Sequence, residues 1–359
     1  RLVVKVGTGV LTQGVGILDP LRVQAIADVL AETRQRVPGV LLVSSGAIGL
    51  GMGKLGLGQR PKALDTLQSC AAIGQNLLMN TWAEAFERHG ILTAQVLLTR
   101  EDMRSRKRYG AVKQTLERLL AYGVVPIINE NDCVSAEEIT FGDNDLLSAL
   151  VASLSGSQLL CILSTIPGLL DLDNGSQIIP LVEAITPEVE HLARGTQSPT
   201  AVGGMASKIE AAKVATGSGA GVFIGNGSEP RVLLDLLDGD NRGTFFMPRK
   251  LPVRARKRWL AYFDRPQGSL WVDAGARRAL VEEGGSLLAR GVREVEGSFE
   301  AGAIVAIHGP DGQPFARGQA SFSAAEIREI AGQSTADIRP RFAGRQRFEV
   351  VHRDALAIR

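Results

Sequence analysis

Cysteine, histidine and aromatic residues are scarce in this sequence of 359 residues. The three cysteines, Cys70, Cys133 and Cys161, lie far apart, and none belongs to a Cys-x-x-Cys pair. Their number and spacing argue against a disulfide framework and against a zinc site, and they favour buried thiols in a reducing compartment. The four histidines are equally scattered, so we expect no histidine-based metal site and assign no residue as a metal ligand.

Long apolar runs are also missing. No stretch approaches the roughly 18 residues that a membrane-spanning helix needs. The first residues, Arg1-Leu-Val-Val-Lys-Val-Gly, lead directly into a strand and a glycine turn instead of a signal peptide. We therefore expect a cytoplasmic protein that does not enter a membrane. Since the sequence opens at Arg1 and not at Met, we expect residues upstream of it.

Charge is balanced overall but divided unevenly along the chain. The net charge is +2, with 45% hydrophobic and 22% charged residues, which is ordinary for a globular protein. Lys and Arg minus Asp and Glu gives about −4 for residues 1–246 and about +6 for the remainder. The basic remainder is consistent with a nucleic-acid-facing tail or with a solvated basic surface, and we favour the surface.

The first two-thirds of the sequence alternates short apolar strands with helices. Asp19-Pro20 begins the first long helix, with Asp as the N-cap and Pro at the first helical position. Strands this apolar, separated by helices, predict a mostly parallel sheet covered on both faces. The predicted strands are Leu2–Val6, Val40–Val43, Ile91–Leu98, Val124–Ile128, Leu159–Leu163 and Val222–Ile224.

The pattern changes near Met247, where the segments become shorter and richer in β signals. A predicted helix, Ala274–Glu283, follows the strand Ser269–Val272, and a turn at Pro310–Gln313 indicates a hairpin. A chain of this length suggests two domains. We predict a main domain over residues 1–248, a linker over 249–266, and a small β-rich domain with a C-terminal tail over 267–359.

Three glycine-containing segments lie next to predicted strands or helices. They are Lys5–Gly9, Ser44–Ala47 and Val202–Lys208. Glycines at strand ends let backbone N–H groups approach an anion closely, and a helix N-terminus adds its positive dipole end. Lys5 and Lys208 accompany two of the segments, and two lysines suit a triphosphate whose charge grows on the transferring group. Together these segments favour nucleotide binding.

One further glycine pattern is misleading. Gly51-Met52-Gly53-Lys54-Leu55-Gly56 fits the Gly-x-Gly-x-x-Gly signature of dinucleotide sites. It does not directly follow a predicted strand, so we interpret it as a surface loop. It is not a P-loop either, because Leu55 stands where Ser or Thr is required.

The most informative residues are two clusters of carboxylates and amides. Ile128–Asp132 leaves the strand Val124–Ile128, where open α/β sheets place ligands, and Phe141–Asp145 follows a short acidic connection. Asn and Asp are common turn formers, yet two such clusters exceed what turns require. They could hold the amino and carboxylate groups of a small zwitterion.

These motifs resemble those of the amino acid kinase family, and the similarity covers essentially the whole chain. The segments Asn129–Asp132 and Gly142–Asp145 resemble those of the branch of this family that phosphorylates L-glutamate. The C-terminal segment resembles a PUA domain. The elements that carry the resemblance are Val4–Thr8, Ser44–Ile48, Leu98–Arg100, Pro126–Asp132, Gly142–Asp145 and Gly203–Met205.

The resemblance implies an α/β fold, specifically an αβα sandwich with a mostly parallel sheet, plus the small β-rich PUA-like domain. It further implies that ATP with Mg²⁺ phosphorylates the γ-carboxylate of L-glutamate to L-glutamyl 5-phosphate, the first step of proline biosynthesis. Feedback inhibition by proline and a homo-oligomer, a dimer or tetramer, are implied as well. RNA binding by the PUA-like domain is a weaker expectation, because its aromatic residues are spread out and not clustered.

The resemblance also implies residue roles. Lys5 and Lys208 would stabilise the phosphoryl group in transit, and Asp145 would hold both lysines. The implied glutamate-binding residues are Ser45, Gly46, Ala47, Asn129, Asp132 and Asn144. The implied nucleotide-binding residues are Lys5, Gly7, Thr8, Ser164, Thr165, Val202, Gly203, Gly204, Met205, Ala206, Ser207 and Lys208. Ser164-Thr165 stands where the family usually has Thr-Asp, so the contacts to base and ribose are expected to differ.

The chemistry of the residues agrees with this expectation. A carboxylate is already ionised at neutral pH and needs no general base, so positioning and charge neutralisation carry the reaction. Two alternatives stay open: acetylglutamate kinase or another carboxylate or carbamate kinase of this fold, and an RNA-binding protein with a vestigial kinase domain. Asp132 argues against the first, because an acetylated amine has no charge for it to pair with. Intact Lys5, Asp145 and Lys208 argue against the second.

Overall fold

The computed structural model describes residues 1–14, 16–134, 143–172, 175–194, 204–249, 266–342, 344–345 and 347–358. The chain divides into two compact units, residues 1–252 and 253–359. The predicted linker, 249–266, lies almost wholly outside the described residues. Within the described ranges, no helix combines the length and apolar character that crossing a membrane requires.

The first unit is built on an eight-stranded sheet with the order β10-β12-β11-β7-β1-β4-β6-β5. The neighbouring pairs from β11 to β5 are parallel, and β12 runs antiparallel to β11. The strands of the unit are β1 (Leu2–Val6), β2 (Thr12–Gly14), β3 (Ile17–Leu18), β4 (Val40–Ser44), β5 (Thr93–Leu98), β6 (Val125–Glu130), β7 (Leu159–Ser164), β8 (Leu170–Asp171), β9 (Gln177–Ile178), β10 (Leu181–Val182), β11 (Gly221–Asn226) and β12 (Thr244–Phe246).

Helices cover both faces of this sheet. The side chain of Asp19 caps the helix predicted at Asp19-Pro20 by accepting hydrogen bonds from the N–H groups of Leu21 and Arg22. The helices are α1 (Thr8–Leu11), α2 (Pro20–Arg36), α3 (Ala47–Lys54), α4 (Leu64–Glu87), α5 (Arg100–Arg104), α6 (Arg106–Ala121), α7 (Asp143–Ser155), α8 (Pro187–Arg194), α9 (Met205–Gly217) and α10 (Val232–Leu237).

The alternation of side chains along β1 places the two faces in different environments. Leu2, Val4 and Val6 join a buried core with apolar residues of α2 and α4. Lys5 lies between Val4 and Val6, so it points to the opposite face, where α7 contacts β1 and packs against α9. The predicted mostly parallel sheet covered on both faces is therefore confirmed. Its geometry places the charged side chain of Lys5 on the face that α7 covers.

The surface loop predicted for residues 51–56 is wrong for residues 51–54, and only Leu55 and Gly56 form an exposed turn. Helix α3 covers Ala47–Lys54, and Gly51 and Met52 are buried within it. A Cβ at Gly51 would overlap the backbone of Cys70 on α4, and a Cβ at Gly74 would overlap the carbonyl of Ala47. These glycines let α3 and α4 pack with their backbones in close contact, and this packing outweighs the low helix propensity of glycine.

The second unit is a six-stranded sheet with helices and its own core. The order is β14-β18-β17-β16-β13-β15, in which β13 and β16 are parallel and the other pairs are antiparallel. The strands are β13 (Gly268–Val272), β14 (Leu287–Leu288), β15 (Val292–Gly297), β16 (Ile304–His308), β17 (Pro314–Ala320) and β18 (Glu349–Ile358). The helices are α11 (Ala274–Val281), α12 (Ala324–Ile330) and α13 (Thr335–Ile338), with 3₁₀ turns at Ala289–Gly291 and Arg339–Phe342.

The predicted hairpin is present as β16 and β17, and the helix predicted after β13 ends at Val281. Residues 349–358 form a strand and not a loose tail. Strand β18 pairs with β17 and β14, and Val350 and Val351 are fully buried in the core of this unit. The β-rich second domain of the sequence prediction is confirmed.

Candidate active site

A buried ion triad lies between β1, α7 and α9. The Nζ of Lys5 is 2.6 Å from Oδ1 of Asp145, and the Nζ of Lys208 is 3.1 Å from Oδ2 of the same carboxylate. Asp145 is 1% exposed, Lys208 4% and Lys5 6%, so all three charges are shielded from water. One carboxylate thus joins two lysines that are far apart in the sequence, and the group carries a net positive charge.

The electrostatics of the triad follow from this arrangement. Burial alone would raise the pKa of Asp145, but the charges of Lys5 and Lys208, with hydrogen bonds from Lys5 and Ser207, lower it below its ordinary value. Burial lowers the pKa of Lys208, and Lys5 adds to this shift while Asp145 opposes it. Asp145 therefore stays ionised at neutral pH, and the pKa of Lys208 lies below the ordinary lysine value.

Ser207 contacts the same oxygen of the Asp145 carboxylate as Lys208 does. Its Oγ is 2.8 Å from Oδ2 of Asp145 and 2.9 Å from the carbonyl oxygen of Gly204, so it links the triad to the start of α9. The sequence prediction assigned Ser207 to nucleotide binding, and the geometry gives it a contact with Asp145 instead of an open position. Val202 and Gly203, assigned to the same function, lie outside the described residues.

Two glycines of the predicted site stand at helix N-termini. Gly46 precedes α3 with φ of 115°, a left-handed conformation that favours glycine, and Gly204 precedes α9. A Cβ at either position would meet no heavy atom within 4 Å, so there is open space beside both backbones. Exposed N–H groups at such helix starts are suited to phosphate oxygens.

The strand order arranges the predicted residues in a row. Val6 is in register with Leu163 of β7 on one side and with Ser44 of β4 on the other. Gly7 and Thr8 therefore lie between the ends of β7, with Ser164 and Thr165, and of β4, with Ser45 and Gly46. Residues assigned to the nucleotide thus occupy one half of this edge of the sheet, and residues assigned to glutamate occupy the other.

Hydrogen-bonded amide side chains form the half of this sheet edge that is assigned to glutamate. Nδ2 of Asn144 donates to Oγ of Ser45 at 2.9 Å and to Oδ1 of Asn129 at 2.8 Å. Nδ2 of Asn129 in turn donates to Oε1 of Gln75 at 2.9 Å. Asn129 and Gln75 are buried, with 2% and 8% exposure. The structure therefore brings together Ser45, Asn129 and Asn144, as predicted, and adds Gln75.

Helix α4 supplies support that the sequence analysis missed. Besides Gln75, it carries Trp82, whose Nε1 donates to Oγ of Ser44 at 2.9 Å, directly beside Ser45. A glutamine and a tryptophan within an otherwise apolar helical pattern form no motif. Their polar atoms become informative only when the fold shows which strand ends they reach.

Asp132 lies beyond β6 in the turn that follows Asn131. Burial lowers the pKa of Arg60, and the charge of Asp132 opposes that shift, so the two side chains are electrostatically coupled. Burial and the charge of Asp132 both raise the pKa of Cys133. The carboxylate of Asp132 is thus near a cation that precedes α4. All three cysteines are free thiols, but the expectation of buried thiols is wrong for Cys133, which is exposed.

The site offers few side-chain ligands to a divalent metal. Among the described residues, no group of three or more His, Cys, Asp or Glu side chains could hold a metal ion. Asp145 already binds two lysines and Ser207. Such surroundings fit a metal that is held mainly by phosphate oxygens and water, as Mg²⁺ commonly is when it accompanies a nucleotide.

Comparison with known proteins connects this geometry to a family. Residues 1–226 match the amino acid kinase family, and residues 268–342 match the PUA domain. The chain is 45% identical to glutamate 5-kinase of Moorella thermoacetica over 362 residues, covering 100% of this chain and 96% of the relative. It is 46% identical to glutamate 5-kinase of Myxococcus xanthus over 363 residues, with the same coverage. Carbamate kinase from Giardia lamblia bound to AMP-PNP aligns at 17% identity and a TM-score of 0.49, covering 68% of this chain and 97% of that one.

Proposed function

The chain belongs to the amino acid kinase family, and we propose that it transfers the γ-phosphoryl group of ATP to the side-chain carboxylate of L-glutamate. The buried triad of Lys5, Asp145 and Lys208 is the observation that carries this proposal. It sits between the glycine-bordered half of the sheet edge and the amide-bordered half. The full-length similarity to two glutamate 5-kinases selects glutamate over acetylglutamate and over a vestigial kinase domain.

In this reaction a carboxylate oxygen of glutamate attacks the γ-phosphorus, and the bond to the β,γ-bridging oxygen breaks. Negative charge spreads over the transferring group and the leaving ADP. Lys5 and Lys208 neutralise that charge from buried positions, and because they are already in place, little reorganisation is needed during the reaction. Asp145 keeps both ammonium groups aimed and stays ionised because its pKa is lowered. No group of the protein has to remove a proton, since the attacking carboxylate is ionised.

The second half of the site recognises the amino acid. Asn144 and Ser45 offer polar atoms at the end of β4 and the start of α7, and Asp132 supplies a negative charge for the ammonium group of glutamate. The glycine N–H groups at Gly46 and at Gly204 are suited to the reacting carboxylate and to phosphate, respectively. Gly7, Thr8, Ser164, Thr165, Met205 and Ala206 border the nucleotide half.

Mg²⁺ is part of the proposal as a companion of ATP. When bound, it would neutralise phosphate charge. The lysines and the glycine turns would hold the phosphates, and phosphate oxygens and water would coordinate the metal.

Four further properties are proposed from family resemblance. They are catalysis of the first step of proline biosynthesis, inhibition by proline, a homo-oligomeric state and a cytoplasmic location. The free thiols of Cys70 and Cys161, both fully buried, are consistent with a reducing compartment. We also propose residues 1–248 as the catalytic domain, 249–266 as a linker and 267–359 as a PUA-like domain with a regulatory or packing role.

The proposal is tested by measuring ADP release from ATP and Mg²⁺ with L-glutamate, N-acetylglutamate, L-aspartate and carbamate. We expect glutamate to give the highest kcat/KM, and proline to lower the rate. RNA binding is measured in parallel by salt-dependent titration. Preference for N-acetylglutamate or carbamate would contradict the assignment of the substrate, and RNA binding without any phosphoryl transfer would contradict the assignment as an enzyme.

A further inference from the structure

Gln75 is a buried polar residue to which the proposed reaction gives no direct function. It lies in the middle of α4, faces the sheet and is 8% exposed. Its neighbour Gly74 allows the carbonyl of Ala47 to approach α4 closely, so this part of α4 is in contact with the start of α3. Gln75 therefore lies next to the point where α4 packs tightly against the start of α3.

The direction of the hydrogen bonds between these amide side chains follows from one backbone N–H group. The N–H of Glu130 donates to Oδ1 of Asn129 at 2.9 Å, and a backbone N–H can only donate. Nδ2 of Asn129 must then face Gln75, and Gln75 must present its oxygen. On the other side, Asn144 must present its nitrogen to Oδ1 of Asn129. The orientation of each amide is thus determined by its neighbours.

Two polar atoms of these amide side chains remain to be accounted for. Nε2 of Gln75 and Oδ1 of Asn144 are buried and have no hydrogen-bond partner among the described residues. The unused acceptor belongs to Asn144, which also contacts Ser45 in the amino acid half of the site. An acceptor that awaits a donor at this position suits an ammonium group.

We propose that Gln75 is a positioning residue for substrate specificity, an inference that rests on the proposed function. By anchoring Asn129, Gln75 fixes Asn144 with its carbonyl oxygen free, and this oxygen accepts from the substrate ammonium. Without Gln75, Nδ2 of Asn129 is a buried donor that has lost its acceptor, which is unfavourable. Asn129 then turns away, and the amide of Asn144 loses the partner that prevents it from flipping.

The test compares two acceptors that differ in the ammonium group. Glutarate has the reacting carboxylate of glutamate but no amine. Gln75→Met, which has a similar shape and no acceptor, should lower the kcat/KM ratio of glutamate over glutarate about tenfold. The loss should fall on the glutamate KM, with the ATP KM unchanged. Gln75→Glu, which keeps an acceptor for Asn129, should restore the ratio to within about threefold of the wild type.

Asn76→Met on the exposed side of the same helix is the matched control and should leave the ratio unchanged. If Gln75→Met proves insoluble, Gln75→Asn withdraws the acceptor by one methylene and should show the same shift. Equal losses with glutamate and glutarate, or failure of Gln75→Glu to restore the ratio, would overturn the inference. Absence of glutamate-dependent ADP release in the wild-type enzyme would instead overturn the proposed function.

Discussion

At the scale of single residues, the charges of the site are arranged around one carboxylate. Asp145 binds Lys5 and Lys208 with different oxygens and receives a hydrogen bond from Ser207. A buried pair of lysines without this partner would repel each other and lose protons. Asp145 therefore acts by keeping two cations charged and in place.

The first prediction concerns the lysines. Lys5→Ala or Lys208→Ala should lower kcat by roughly 10²–10³ and change the glutamate KM far less, because a preorganised charge on the transferring group is removed. Steady-state kinetics with both substrates varied measures this. A variant that retains more than about a third of the wild-type kcat would contradict the role.

The second prediction concerns pH. The pKa of Lys208 is lowered, mainly by burial, so its folded pKa lies below the ordinary lysine value and its charge is lost as pH rises through that folded pKa. We expect kcat to fall on the alkaline side, below the pH at which an exposed lysine titrates. Lys208→Arg should remove this alkaline limb, because a guanidinium stays charged. An alkaline limb that persists unchanged in that variant would exclude Lys208 as its source.

The third prediction concerns recognition of the substrate amine. Asp132→Asn should raise the glutamate KM by the loss of a charge-assisted contact, roughly 1.5–3 kcal/mol, and leave the ATP KM nearly unchanged. Isothermal titration with each substrate separates the two. Weak ATP binding with normal glutamate binding would mean that the two halves of the site have been exchanged.

At the scale of elements, α4 holds the amino acid half of the site. Gln75 reaches Asn129, Trp82 reaches Ser44, and Gly74 admits the carbonyl of Ala47. The start of α3 and the end of β4 are therefore positioned by the same helix. A substitution that moves α3 away from α4 should change glutamate binding, even though the substituted residue lies outside the site.

The fourth prediction tests this coupling. Gly74→Ala places a Cβ against the carbonyl of Ala47 and should destabilise the fold by about 1–3 kcal/mol and raise the glutamate KM. Gly110→Ala in α6 is the matched control, since a Cβ there meets no heavy atom within 4 Å, and it should stabilise by about 0.5–1 kcal/mol. Denaturant unfolding gives both values. Equal effects of the two substitutions would refute the close-packing account.

Sequence patterns predicted the elements whose neighbours are apolar. Strands such as Leu159–Ser164 are buried on both faces, so their composition alone identifies them. The predicted ends were less accurate: β6 continues to Glu130, two residues past the prediction, because Asn129 and Glu130 still pair with β5. Helix α3 was mistaken for a loop because its glycines serve contacts with α4, which no local pattern contains.

The candidate site was predictable where residues adjoin strand ends in sequence. Lys5, Ser45, Asn129 and Asn144 follow from the glycine and amide segments and their resemblance to a family. Gln75 and Trp82 were not predictable, because a helix distant in sequence brings them to the site and only the fold shows their partners. The contact of Ser207 with Asp145 was hidden for the same reason.

At the scale of the whole molecule, each unit has a separate hydrophobic core. The cluster in the first unit is formed by residues 2–233, and the cluster in the second by residues 270–356. Every described residue of the candidate site belongs to the first unit. The second unit has its own sheet and its own core, so we expect it to be dispensable for phosphoryl transfer.

The fifth prediction follows from this separation. A chain ending near Arg249 should fold and retain glutamate-dependent ADP release, while inhibition by proline or the mass in solution changes. Light scattering and kinetics on the truncated and full chains measure these properties. A soluble, folded truncation without activity would refute the modular picture, and RNA binding at physiological salt that disappears on truncation would favour an RNA-binding second unit.

The most direct test of the central claim identifies the phosphorylated product. ATP labelled at the γ-phosphate, Mg²⁺, L-glutamate and hydroxylamine are mixed with the enzyme, so that an acyl phosphate at the side chain is trapped as the γ-hydroxamate with release of labelled phosphate. The account predicts hydroxamate and ADP in equal amounts with the wild type, and neither at a comparable rate with Lys208→Ala. ADP formation without γ-hydroxamate, or hydroxamate from N-acetylglutamate in preference to glutamate, would contradict it.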